Sequence, residues 1–207
     1  MSEHAHPPAS HAHKWHFNPD EPLSAQTIAR LENPARQQTF NPSKWLPALG
    51  PLSSKSVADV ACGTGAFCGP LLKAVGPGGK VYGIDIDPRM VAHTKARFEK
   101  EAAFAPVLST RENIPLPNAC LDAAVLISTL HDLDGDATLR EIRRLLKAGA
   151  RLVVVDWKKI RQEGGPAYEI RKSEPEARAM LEALGFACSV FEVSDSAWGI
   201  RAEKTAD

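Results

Sequence analysis

The sequence predicts an α/β fold of three layers: a seven-stranded, mostly parallel sheet with an antiparallel last strand and helices on both faces. Three observations carry this expectation. Short apolar runs alternate with helix-length amphipathic stretches over most of the chain, the pattern of repeated strand–helix–strand units. Within that pattern, Val57 to Asp87 reads as strand, glycine turn, helix, glycine turn and strand, a mononucleotide-binding half. The last two apolar runs, Phe186 to Val193 and Ala197 to Glu203, are separated only by residues 194–196, a connection short enough to require antiparallel strands.

The 207 residues suit one domain with a few additional segments. Lysine plus arginine and aspartate plus glutamate are balanced at 25 each, so no uniform field draws the protein to nucleic acid or an anionic membrane. No run of about twenty apolar residues and no secretory signal occurs, which points to a cytoplasmic protein. The four cysteines, Cys62, Cys68, Cys120 and Cys188, form no C-x-x-C pair and read as small buried hydrophobes, with no metal site expected.

Residues 1–14 are rich in histidine, proline and alanine and read as a tail without a core of its own. His11-Ala12-His13 can chelate a metal in vitro, but no acid or cysteine completes a site. Residues 15–49 read as an ordered helical cover, with Trp15, Phe17 and Trp45 spaced among prolines. Its Ser24 to Leu31 stretch places Ile28 and Leu31 on one helical face, and a second short helix is expected near Trp45 to Leu49.

The main domain, 50–207, begins with the strand Val57 to Ala61. It runs into Cys62-Gly63-Thr64-Gly65, where two glycines let the backbone turn sharply and approach a ligand. The helix Ala66 to Val75 then offers its free N–H groups to polar or anionic ligand atoms. Gly76-Pro77-Gly78-Gly79 stops it, and the strand Lys80 to Ile84 ends at Asp85, whose carboxylate can take both hydroxyls of a ribose. A third glycine of G-x-G-x-x-G would fall at Cys68, so a nicotinamide dinucleotide fits poorly.

Asp59-Val60-Ala61-Cys62-Gly63-Thr64-Gly65 resembles the first motif, D-x-x-x-G-x-G, of class I S-adenosylmethionine-dependent methyltransferases, a Rossmann-like family. The resemblance extends from about Pro42 to the C-terminus. It implies S-adenosylmethionine as cofactor, with Asp59, Ala61, Cys62, Gly63, Thr64, Gly65, Asp85 and Ile86 lining its site. It also implies that the segment before the motif folds over the cofactor.

After Asp85, Pro88 to Lys100 reads as a helix facing the sheet with Met90, Val91 and Phe98, and Phe104 to Leu108 as the third strand. Glu112-Asn113-Ile114-Pro115-Leu116-Pro117 resembles the family's A-E-x-L-P-F-P stretch, which borders the adenine. Where the family often has an acid two residues earlier, this chain has Thr110 followed by Arg111; the threonine hydroxyl can still accept a hydrogen bond. The fourth strand, Leu121 to Ser128, should lie beside the first, at the crevice where ligands bind in open sheets, and the resemblance implies that Ser128 lines the cofactor site there.

Thr129-Leu130-His131-Asp132-Leu133 matches the V-L-H-H-L stretch of the small, ubiquinone-biosynthesis-like, methyltransferase-11-like branch. A helix from Asp136 to Leu146, the buried strand Arg151 to Asp156 and a loop from Ile160 to Ser173 follow. Glu174 to Leu184 is then a helix closed by Gly185. His131, with an ordinary pKa of about 6.5, is the candidate base, and Asp156 the candidate acid that orients an acceptor. Trp157 would wall the sulfonium by cation–π attraction.

The N/D-P-P-Y/F tetrad of many DNA and protein amino-methyltransferases is absent, since Ser128-Thr129-Leu130-His131 stands in its place. The expected function is methyl transfer to a small-molecule acceptor by a monomer or homodimer. A methyltransferase acting on a macromolecule and a non-catalytic module binding S-adenosylmethionine or S-adenosylhomocysteine are the alternatives.

Overall fold

A computed structural model describes residues 21–206. The tail 1–14, with its histidines, and Trp15 and Phe17 of the expected cover lie outside the described residues.

The sheet contains seven strands: β1 (Ser56–Val60), β2 (Lys80–Asp85), β3 (Phe104–Leu108), β4 (Leu121–Ile127), β5 (Leu146–Trp157), β6 (Phe186–Glu192) and β7 (Ala197–Lys204). They are ordered β3-β2-β1-β4-β5-β7-β6, and only β7 runs antiparallel to its neighbours. The crossovers step outward from β1 to β3 on one side and from β4 onward on the other, so their direction reverses between the parallel strands β1 and β4, as the sequence predicts.

Successive side chains point to opposite faces of a strand, so each buried strand feeds two cores. On one face Ala58, Ala124, Leu152 and Val154 pack with Leu139, Ile142 and Leu145 of α6 (Ala137–Leu145) and Leu181 of α7 (Glu174–Ala183). On the other face Val57, Val125 and Val153 pack with Leu71 and Val75 of α4 (Cys68–Val75). Phe40 and Trp45 of the N-terminal cover complete that second core, both fully buried. The long apolar runs in β4 and β5 are explained by this coverage on both sides.

Several boundaries differ from expectation. The first main-domain helix starts at Cys68 instead of Ala66, because 62–67 form successive turns (Gly65 N to Cys62 O 2.9 Å, Cys68 N to Gly65 O 3.2 Å). Helix α5 (Pro88–Arg97) ends before Lys100 and buries Thr94, while Met90 and Val91 stay half-exposed and Phe98 packs just beyond its end. Strand β5 begins at Leu146 rather than Arg151, through an irregularity: Leu121 pairs with Leu146, but Ala123 pairs with Arg151. Gly149, at φ 71, carries that detour.

The cover forms three short helices, α1 (Ala25–Leu31), α2 (Pro34–Thr39) and α3 (Pro42–Trp45), followed by a 3-10 turn at Leu46–Leu49. Each helix has an N-cap side chain, Ser24, Asn33 and Asn41, and α2 and α3 have proline in the first turn. Helix α2 was not singled out by the apolar pattern, since its only large side chains are polar. Its N-cap and proline are the local signals that mark it.

Candidate active site

The glycine loop sits where β1 gives way to α4. Ala61, Gly63 and Gly65 all have left-handed backbone, at φ 55, 55 and 75. Such strain at Ala61 persists only where surrounding structure holds it, here through the Cys62 amide on the Ile84 carbonyl at 3.0 Å. Gly65 is demanded twice over, since a Cβ there would lie 2.8 Å from Phe98 and 3.0 Å from Thr94. Gly63 faces open space apart from Leu31, 3.6 Å from a built Cβ.

Asp85 closes the loop from β2. One carboxylate oxygen accepts from the Gly63 amide at 2.8 Å and the other from the Asp87 amide at 2.9 Å. Burial raises its pKa above the usual carboxylate value despite these two amides. Ile86 is half-buried beside it, and Asp87 caps α5 through the Arg89 amide at 2.9 Å.

Asp59 is buried beneath the loop, where the Cys68 thiol donates to it at 3.2 Å. Burial pushes its carboxyl up to about 7. The Thr64 hydroxyl is buried without a partner among the described residues. A buried acid near neutrality and an orphaned hydroxyl beside an open glycine loop are what a polar ligand with hydroxyls and an ammonium group would satisfy. The residues therefore fit S-adenosylmethionine.

Thr110, Arg111 and Glu112 stand in the turn after β3, all exposed. The Thr110 hydroxyl already accepts from the amides of Glu112 (3.3 Å) and Asn113 (3.0 Å), and Arg111 reaches Asp134 at 3.8 Å. Arg144, unread in the sequence, anchors the following segment on the Ile114 and Leu116 carbonyls and on Glu141.

Across the crevice, Ser128 ends β4 at φ 55, its hydroxyl accepting from the Trp157 indole at 3.1 Å. His131 follows in a 3-10 turn at Leu130–Asp132. Its Nδ1 lies 2.8 Å from Asp156, its Nε2 3.2 Å from Asp132, and its backbone amide donates to Asp156 at 3.0 Å. Burial alone would lower the His131 pKa, but the hydrogen bonds to Asp132 and Asp156 outweigh it and push it up to about 9. The expected value near 6.5 is thus corrected: at neutral pH this is an imidazolium between two carboxylates. Trp157 meets Phe40 edge-on at 5.1 Å and carries the Arg171 guanidinium over its ring at 5.7 Å.

The cover reaches the same site. Glu32 takes Arg97 at 2.7 Å and His93 at 3.2 Å, both on α5, and Arg97 also donates to the Thr64 carbonyl at 3.0 Å. Arg36 projects from α2 over Phe67 and Phe40, 5.1 and 5.5 Å from the ring centroids. Burial lowers its pKa to about 10, partly offset by Asp59 and Asp156. None of these cross-element pairs is visible in the sequence pattern.

A doubly wound sheet with a glycine loop after β1 and an acid ending β2 defines a nucleotide-type cofactor protein of the class I methyltransferase fold. Residues 58–154 match the Methyltransferase domain family Methyltransf_11. A crystal structure of an S-adenosylmethionine-dependent methyltransferase from Aquifex aeolicus superposes with TM-score 0.82 at 32% identity, covering 91% of this chain and 99% of that one. The ubiquinone/menaquinone biosynthesis C-methyltransferase UbiE of Burkholderia vietnamiensis is 32% identical over 116 residues, 55% of this chain and 48% of that protein. The chain therefore spans about half the length of the curated relatives it matches. The Bacillus YcgJ structure, at 16% identity and TM-score 0.65, shares the fold.

The chain belongs to the S-adenosylmethionine-dependent methyltransferases of class I, and S-adenosylmethionine is its cofactor. Among the described residues no helix is long and apolar enough to cross a membrane, and no cluster of His, Cys, Asp and Glu is arranged to hold a metal.

Proposed function

We propose that the protein transfers a methyl group from S-adenosylmethionine to carbon of a small-molecule acceptor. When bound, S-adenosylmethionine supplies an electrophilic methyl group on a sulfonium sulfur. The observation that supports this reading best is the loop itself, three left-handed residues closed by Asp85 on the Gly63 amide. Asp59, Ala61, Cys62, Gly63, Thr64, Gly65, Asp85 and Ile86 hold the cofactor, Asp85 on the ribose and Thr110 to Glu112 bordering the adenine.

Ser128, at the end of β4, lies on the cofactor side, and His131 and Asp156 form the acceptor side. Asp156 orients His131 through two hydrogen bonds, and Asp132 takes the other ring nitrogen. One imidazolium between two carboxylates carries a net negative charge, which suits a wall facing a sulfonium. Holding the acceptor in line with the methyl carbon and excluding water supplies much of the rate. With Nδ1 held by Asp156, the neutral His131 takes the acceptor's proton at Nε2 once that nitrogen leaves Asp132, and the neutral fraction grows as pH rises toward 9. Carbon as the methylated atom rests on the likeness to a C-methyltransferase over 116 residues. A monomer or homodimer in the cytoplasm, with residues 15–49 as cover and 50–207 as catalytic domain, completes the proposal.

The test is incubation with methyl-labelled S-adenosylmethionine and a cell metabolite extract, then mass spectrometry and NMR of the labelled product. Label on carbon of a small molecule is expected. Label only on macromolecules, or binding without transfer, would replace the reading.

A further inference from the structure

We propose that Arg36, carried by the N-terminal cover, binds the α-carboxylate of the cofactor's methionine moiety, so that the cover supplies part of the cofactor site rather than only walling it. This rests on the cofactor reading given above.

Asp85 places the ribose at the end of β2, so the amino-acid end of the cofactor extends along the strand tips toward β1, β4 and β5. Arg36 stands over that side: it lies against Phe67 and Phe40, Phe40 meets Trp157 at the end of β5, and the guanidinium feels the charges of Asp59 and Asp156. Its guanidinium is flanked by two aromatic faces, Phe67 at the entrance to α4 and Phe40 of the cover. Among the described residues its single hydrogen bond is a long one, Nη1 to the Leu31 carbonyl at 3.5 Å. The buried Arg171 has its five donors engaged with the carbonyls of Pro166, Lys158, Ile160 and Gly164, whereas Arg36 is half-buried and its remaining donors stay open at the cover's inner edge.

Arg36 differs from Arg171 in keeping its donor fork open. A carboxylate is the planar anion that such a fork binds through two parallel hydrogen bonds. The methionine moiety is a zwitterion, and the site matches it with one cation and one acid: Arg36 for the carboxylate and Asp59 for the ammonium. Helix α4 begins beside Phe67, so its first amides add positive potential at the same place.

The probes are S-adenosylhomocysteine and its decarboxylated form, S-adenosyl-3-thiopropylamine, titrated by calorimetry into wild-type protein, Arg36→Gln and Arg36→Lys. Arg36→Gln should weaken S-adenosylhomocysteine by about tenfold or more, as loss of charge-assisted hydrogen bonds implies, and leave the decarboxylated form within about twofold. Arg36→Lys should recover part of the difference, as a point charge without the fork. The unchanged amine ligand also reports that the variant is folded. Equal weakening of both ligands, or of neither, would overturn the proposal, as would a loss confined to acceptor KM. Wild-type protein that binds neither ligand would refute the cofactor reading itself, and this proposal with it.

Discussion

Asp156 grips His131 twice, through Nδ1 at 2.8 Å and through the backbone amide at 3.0 Å, so one carboxylate at the tip of β5 sets both the place and the charge of the residue after β4. Because that grip favours the imidazolium, a proton-accepting His131 acts on the alkaline side of neutrality. The kcat/KM of the wild-type enzyme should rise with pH through about 9. His131→Ala should remove that limb and lower kcat by about 10² to 10⁴, with S-adenosylhomocysteine affinity nearly intact. Asp156→Asn should move the limb to lower pH. A pH–rate profile of the three proteins decides the matter, and normal turnover by His131→Ala across pH 6 to 9 would leave His131 as scaffold.

The same shift has a consequence for stability. The folded-state pKa of His131 is raised from 6.5, so its contribution is complete below about 6.5 and is lost as pH rises through about 9. At 7% side-chain exposure solvent screening is small, and the contribution is on the order of 3 kcal/mol. Thermal unfolding at pH 6 and pH 9.5 should show a fall for wild type that is reduced in His131→Asn.

Asp59 predicts a second pH dependence, with the opposite sense for binding. Its folded pKa is raised from 3.8 to about 7, so in the ligand-free protein its stabilising contribution is complete below 3.8 and is lost as pH rises through 7. A ligand ammonium prefers the carboxylate form. S-adenosylhomocysteine should therefore bind more tightly at pH 8 than at pH 6, with proton release below pH 7. Calorimetry in two buffers of different ionisation enthalpy measures the release, and Asp59→Asn should abolish it. Proton uptake would contradict the assignment.

Two glycines near each other should respond differently to alanine. Gly65→Ala meets Phe98 at 2.8 Å and forces an alanine to φ 75, so a loss of about 1 to 3 kcal/mol is expected. Gly69→Ala in α4 meets nothing within 4 Å and should be neutral or stabilising by up to about 1 kcal/mol. Urea unfolding of both variants checks the contrast.

The parts legible in the sequence are those encoded locally. The glycine loop, Asp85, Ser128 and Asp156 each occupy a strand end whose place follows from apolar periodicity and strand order. Arg36, Glu32 and Arg97 were not legible, because Arg36-Gln37-Gln38 has the composition of a solvated helix face. Only the folding of α2 over Phe67, and the Glu32 contact with α5, give those charges partners far away in the chain. The place of His131 after β4 is legible but its charge state is not, since that depends on burial and on Asp132 and Asp156 acting together. The helix start at Cys68 was missed for a related reason: glycine turns and a helix N-terminus are adjacent in sequence, and only hydrogen bonding separates them.

Whether the cofactor sits on the glycine loop is measured by calorimetric titration of S-adenosylhomocysteine into wild-type protein and Asp85→Ala. Saturable one-site binding to wild type, no competition by NADH, and a loss of about 10- to 100-fold in the variant are expected, the scale of a charge-assisted hydrogen bond. Unchanged affinity in Asp85→Ala would contradict the placement of the cofactor on the loop from Asp59 to Gly65.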